Sequence, residues 1–173
     1  MPAFLITRRA EPSSSLPKFR NPTPVCEYDS VMEIPLRDRL VEVALEWERR
    51  YGVAPHITSA ISEYDAAMLV KCPEDDYCRQ MQGQTAVRKG YDFTMGGRRY
   101  QVKANRPSGK PGSFVTLVAK AGNYEWDYLV WILYNPRFEV QEAWLWGVAD
   151  YRAQFHEKKR LAPADMRRGT RLA

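Results

Sequence analysis

At 173 residues, 45% of them apolar, the chain is long enough for one domain with a buried core and too apolar to be disordered. No apolar run approaches the roughly 20 residues that cross a bilayer, and the two arginines that follow the short apolar patch at the start reverse the order of a secretory signal. A membrane role is therefore not expected, and three cysteines without an export signal fit reduced thiols in a cytoplasmic protein. The net charge of +5 is unevenly placed. No Asp or Glu occurs from Phe93 through Tyr124, where Arg98, Arg99, Lys103, Arg106, Lys110 and Lys120 all fall. A second basic cluster, Lys158, Lys159, Arg160, Arg167, Arg168 and Arg171, lies near the C-terminus, which leaves the remainder net acidic. Clustered cations suit a polyanion, because each neutralised phosphate releases counterions.

In chain order, residues 11–24 are rich in Pro and Ser and read as extended chain. Residues 1–30 are accordingly expected to form an N-terminal arm, 31–155 a folded domain and 156–173 a basic C-terminal tail. Pro35 suits the first turn of a helix whose apolar positions are Leu36, Leu40, Ala44, Trp47 and Tyr51, stopped by Gly52. A second helix follows Thr58 or Ser59, either of which can cap it, with Ile57, Ile61, Tyr64 and Met68 as its stripe. Glu63 lies beside that stripe between Ala60 and Ala67, neighbours small enough to let the helix approach a sheet while it carries a carboxylate to the edge. Pro73 ends the segment, and Glu74-Asp75-Asp76 reads as a solvated turn. Beyond it the pattern changes to strands. Tyr91 to Met95, the turn dipeptide Gly96-Gly97 and Arg99 to Ala104 predict a hairpin. A Pro/Gly/Ser loop precedes three further predicted strands, Phe114 to Ala119, Tyr128 to Tyr134 and Glu139 to Trp146, and then a short helix from Val148 to Phe155. The Tyr128–Tyr134 strand is continuously apolar, as a central strand covered on both faces should be. This order predicts an α/β sandwich built round a mixed sheet.

The segment that carries chemistry is the hairpin. Strand alternation puts Gln101 and Lys103 on one side of the second strand, and the turn brings Asp92 opposite. A carboxylate and an amide oxygen held close together can bind a hard divalent cation, while a lysine ammonium positions water or stabilises charge on a phosphorane-like transition state.

Asp92 followed nine residues later by Gln101-Val102-Lys103 resembles the PD-(D/E)xK nuclease signature, and Ser62 to Ala67 is similar to the helix that supplies an accessory glutamate in that superfamily. The resemblance covers roughly Ile57 to Tyr134. It implies a restriction-endonuclease-like α/β sandwich, with a mixed central sheet flanked by helices, and hydrolysis of DNA or RNA with Mg²⁺ or Mn²⁺. It further implies Asp92, Gln101 and Glu63 as metal ligands and Lys103 as the catalytic lysine. Two positions depart from the pattern. Tyr91 replaces the proline, and Gln101 replaces the glutamate, which removes one negative charge and leaves metal affinity more dependent on Glu63.

Other candidates carry less. His56 and His156 are isolated, so a histidine-based mechanism is not expected, and Cys72 and Cys78 lack zinc spacing. The loop after the hairpin is no phosphate-binding Gly-rich loop, but Asn105, Arg106, Lys110 and Ser113 are candidates to touch a nucleic-acid backbone. Trp126, Trp131, Trp144 and Trp146 read as core rather than as base-stacking platforms. The leading expectation is an endonuclease on double-stranded DNA, with a homodimer suggested by the need to cut two strands. The alternative is a non-catalytic nucleic-acid-binding module that keeps the nuclease fold, favoured by Gln101. A third reading is an interaction protein whose basic tail binds an acidic partner.

Overall fold

The computed structural model describes residues 34–84 and 90–173; the arm expected over residues 1–30 lies outside them. Three helices come first: α1 (Leu36–Tyr51), α2 (Thr58–Leu69) and α3 (Glu74–Gln82). The strands β1 (Phe93–Met95), β2 (Arg98–Asn105), β3 (Tyr128–Tyr134) and β4 (Val140–Gly147) follow, then α4 (Val148–Phe155), α5 (Pro163–Met166) and β5 (Thr170–Arg171). The strands form one mixed sheet in the order β1-β2-β3-β4-β5, parallel only between β2 and β3. Among the described residues no helix is long and apolar enough to cross a membrane.

Alternation along the strands divides the apolar residues between two cores. Tyr100 and Val102 on β2 join Val130, Ile132 and Tyr134 on β3 beneath α2 and part of α1, with Phe93 and Ala143 beside them. On the other face Leu129 and Trp131 meet Trp146, Tyr151 and Phe155, closed by Val118, Ala121 and Trp126. The unbroken run Tyr128–Tyr134 thus forms a central strand covered on both sides, as its composition requires.

The hairpin forms as predicted. Met95 pairs with Arg98 across Gly96 and Gly97, whose φ angles of 57° and 74° are those a two-residue turn of this type demands and a Cβ disfavours. The polar segment after Pro73 is a helix rather than a turn. Its three acidic residues occupy the first turn, where the helix dipole favours negative charge, and Tyr77 and Met81, one turn apart, pack on the first core. From α3, the Gln80 side chain accepts from Thr94 N at 2.8 Å and donates to Thr94 O at 2.9 Å, pairing with the outer edge of β1 much as a strand would. The predicted strand Phe114 to Ala119 is not formed. Only Val118 bridges, to Leu161, because β3 already occupies the neighbouring edge of β2.

The segment from His156 is part of the domain rather than an appended tail. Leu161 and Met166 are buried and β5 pairs with β4, while Lys158 bonds Asp165 at 2.6 Å and Arg167 bonds Glu142 at 2.6 Å. Of the cysteines, Cys72 is a buried free thiol and Cys78 is disulfide-bonded, which corrects the expectation of reduced thiols throughout. Helix α1 also differs from its predicted face. Its core residues are Val41, Ala44 and Leu45, whereas Leu36, Leu40, Trp47 and Tyr51 are exposed.

Arg37 ties the helical layer to the sheet. Arg37 on α1 donates to both oxygens of Asp65 on α2, at 3.0 and 2.8 Å, and to Phe138 O at 2.8 Å. Tyr134 on β3 donates to the same Asp65 carboxylate at 2.7 Å. The Asp65 interaction holds the Arg37 guanidinium above its ordinary range, and burial raises Tyr134. Replacing Asp65 with Ala strands both donors, so it should lower stability by about 3 kcal/mol in urea unfolding; a loss below about 1 kcal/mol would show that the pair does not fix α2.

Candidate active site at the open end of the hairpin

The ladder between β1 and β2 ends at the pair Phe93–Tyr100, so Asp92 is the first residue past it and Gln101 lies opposite. The backbone before it is set by Gly90, whose φ of 96° favours glycine and whose carbonyl accepts from Asn123 Nδ2 at 3.0 Å. Asp92 N still donates to Tyr100 O at 2.7 Å. Its side chain then replaces the next backbone rung: Oδ2 accepts from Val102 N at 2.5 Å and from Gln101 Nε2 at 2.5 Å. One carboxylate thereby fixes both the register of β2 and the orientation of the Gln101 amide. Gln101 is buried, and with its nitrogen engaged by Asp92 its Oε1 is the atom left to face a ligand.

Two residues along β2, Lys103 is half-buried on the same side of the strand as Gln101, beyond the start of β1 and beside Trp131 of β3. Glu63 arrives from α2, which packs closely because Ala66 and Ala67 are wholly buried. Ala60, expected to serve that purpose, is exposed. The Glu63 carboxyl is pushed up to about 7, first by burial and then by the negative charge of Asp92, with Lys103 acting in the opposite direction. Asp92 and Lys103 thus both act on the partly buried Glu63 carboxyl, with opposite signs. Tyr77 of α3 belongs to the same surroundings. Its hydroxyl is raised by burial and then by Glu63 and Asp92. Tyr77 is not among the residues the sequence singles out, because the acidic run at the head of α3 reads as a turn; the Tyr77–Met81 spacing after Pro73 is the signal that points to it.

The residues present suit a hard divalent cation. Asp92, Glu63 and the Gln101 amide offer oxygen donors of the kind Mg²⁺ and Mn²⁺ take, and a cation between the two carboxylates would cancel the repulsion that raises Glu63. Among the described residues no three His, Cys, Asp or Glu side chains cluster as a metal site.

The four residues expected at a nucleic-acid backbone are mostly committed elsewhere. Asn105 donates to Leu117 O at 3.0 Å and accepts from Trp131 Nε1 at 2.9 Å. Arg106 is a structural arginine, its side chain only 8% exposed. It donates to Pro136 O at 2.9 Å and to Glu48 at 2.5 Å, and lies 4.3 Å from the Phe138 ring centre. Ser113 Oγ accepts from Ser108 N inside the loop, whereas Lys110 is exposed. Within the two basic clusters Arg98, Lys110, Lys159, Arg160 and Arg168 are exposed, while Arg99 pairs with Asp127 at 3.3 Å. Compared with known families and with curated proteins, the chain matches none.

The raised Glu63 carboxyl sets a pH dependence. The folded chain retains a proton there that the unfolded chain has already lost, so its contribution to stability is complete below about 4.5 and disappears as pH rises toward about 7. Urea titrations of metal-free protein should therefore give lower stability at pH 8 than at pH 5.5, with a smaller difference in Glu63→Gln. An unchanged difference in that variant would place the titrating group elsewhere.

Proposed function

We propose that the chain is a divalent-metal-dependent phosphodiesterase of the PD-(D/E)xK type with a restriction-endonuclease-like fold, acting on nucleic acid and on DNA ahead of RNA. The observation that carries this reading is the convergence of Asp92 just before β1, Gln101 and Lys103 on β2 and Glu63 on α2 on one partly buried site. The mixed sheet flanked by helices, with exposed cations at the hairpin tip and near the C-terminus, is consistent with it.

In this reading Asp92, Glu63 and Gln101 Oε1 hold the metal. A bound Mg²⁺ or Mn²⁺ would polarise the scissile phosphate and lower the pKa of an attacking water. Lys103 keeps its ammonium toward the same site, where it neutralises charge that grows on the non-bridging oxygens as the water adds. Asp92 also acts on its neighbour, because by fixing the Gln101 amide nitrogen it turns the amide oxygen outward. Glu63 serves as a ligand once it has lost its proton, so metal affinity should rise with pH up to and beyond about 7.

A non-catalytic nucleic-acid-binding module is the second reading. It is favoured by the neutral amide at position 101, which contents itself with Asp92 and leaves the site one charge short. Cleavage of supercoiled plasmid and of single-stranded DNA with Mg²⁺ or Mn²⁺ separates the two. The nuclease reading predicts cutting that falls at least about 100-fold in Lys103→Ala and disappears in Asp92→Ala. Salt-sensitive binding by the wild type with no turnover under either metal would establish the module instead. Gln101→Glu offers an independent check on the site. A glutamate there cannot donate to Asp92 and adds a third negative charge, so the metal-free protein should melt lower while binding Mn²⁺ more tightly. A variant that loses stability and gains no affinity would remove position 101 from the metal site.

A further inference from the structure

Tyr77 of α3 is wedged between the segments that carry the two carboxylates of the candidate site. Its ring meets Tyr64 edge-on with the ring centres 5.9 Å apart, and Phe93 edge-on at 6.1 Å. Tyr64 directly follows Glu63 on α2, and Phe93 directly follows Asp92 at the start of β1. Gln80, one turn beyond Tyr77 and on the same side of α3, fixes the helix in this place. Its amide exchanges hydrogen bonds with the Thr94 backbone of β1 at 2.8 and 2.9 Å. The position of the Tyr77 ring is therefore set by the same elements that bring Glu63 toward Asp92.

The hydroxyl at the end of this ring is uncommitted. Tyr64 donates its own hydroxyl to Glu74 at 2.9 Å, whereas that of Tyr77 has no hydrogen-bond partner among the described residues. Among those residues Trp126 Nε1 is the one fully enclosed side-chain donor without a partner, so the Tyr77 hydroxyl is open to a ligand. A tyrosine hydroxyl keeps its proton at neutral pH, and burial, then the charges of Glu63 and Asp92, reinforce this. It is accordingly a poor ligand for a hard cation and no nucleophile. Its remaining chemistry is to donate a hydrogen bond. Of the other donors at the site, Val102 N and Gln101 Nε2 are taken by Asp92, which leaves the Lys103 ammonium.

We propose that Tyr77 contacts the substrate, its hydroxyl donating a hydrogen bond to a non-bridging oxygen of the bound phosphodiester. The proposal rests on the phosphodiesterase reading and adds to it a neutral donor beside the charged Lys103. Such a donor orients the phosphate without competing for the cation. Its bond strengthens as charge grows on the phosphate oxygens, so it acts on kcat more than on KM.

The test is Tyr77→Phe, which keeps the ring and its packing and removes only the hydroxyl oxygen. The variant should show an unchanged circular-dichroism spectrum and bind Mn²⁺ as the wild type does. With Mg²⁺ its kcat on plasmid DNA should fall at least about tenfold, with KM little changed. Cutting at the wild-type rate would overturn the assignment of Tyr77 and leave the nuclease reading standing. A wild type that cuts no substrate would overturn the nuclease reading, and a second readout then decides on Tyr77. In protein labelled with ¹³C at the tyrosine ζ carbon, the resonance missing from Tyr77→Phe belongs to Tyr77. Duplex DNA added with Ca²⁺, which takes the same class of oxygen ligands, should move that resonance from its position with Ca²⁺ alone. A resonance indifferent to DNA would overturn the contact, whether or not the protein cuts.

Discussion

A single carboxylate oxygen organises the working end of this molecule. Asp92 Oδ2 takes the backbone N–H of Val102 where the next rung of the β1–β2 ladder would have been, and it takes the Gln101 amide N–H as well. The first bond holds β2 in register past the point where β1 begins, which sets where Lys103 emerges. The second bond determines which end of the amide is presented. Both of these donors are neutral groups. Burial, and after it the negative charge of Asp92, pushes the Glu63 carboxyl up to about 7. In the proposed reading, a bound cation would relieve the repulsion between the carboxylates.

Glu63 can hold that position only if α2 is held, and the buried arginine contacts do this. Arg37 and Tyr134 converge on Asp65, two residues along the same helix, so α1, α2 and β3 are joined at one carboxylate. Arg37 and Arg106 together also clamp the β3–β4 turn, where Phe138 is wholly buried at a φ of 61°. A bulky residue at positive φ is strained, and its burial under these two guanidinium groups offsets that strain. Positive charge in this protein therefore does two jobs. The arginines that sequence places beside the hairpin are partly internal ties, and exposed cations lie at the hairpin tip, on the long loop and near the C-terminus.

Much of this was legible in the sequence, and for identifiable reasons. The Gly96-Gly97 turn, the alternation of Tyr100, Val102 and Ala104 against Gln101 and Lys103, and the unbroken Tyr128–Tyr134 run are local signals. A fold cannot easily override them, because each is tied to backbone geometry or to two-sided burial. From them followed the juxtaposition of Asp92 with Gln101. What could not be read was whatever depended on distant partners. Arg106 resembles a loop cation until Glu48, Pro136 and Phe138 surround it. The basic segment from His156 resembles a tail until Leu161 and Met166 find the second core. The periodicity of α1 was real, but it contained two apolar faces. Spacing alone gave no means to tell which of them the sheet would take, and the structure gives the sheet Val41 and Ala44. The α3 segment failed for a different reason: its helical signal was carried by Tyr77 and Met81, and three leading acidic residues masked it.

If Asp92, Glu63 and Gln101 form a single divalent-cation site, the stoichiometry of Mn²⁺ binding by electron paramagnetic resonance at pH 8 should reveal it. The expected result is one saturable Mn²⁺ per chain in the wild type, displaced by Mg²⁺ and abolished in Asp92→Asn, which keeps the size of the side chain and removes its charge. Absence of saturable binding, or a site that survives Asp92→Asn unchanged, would contradict the shared site.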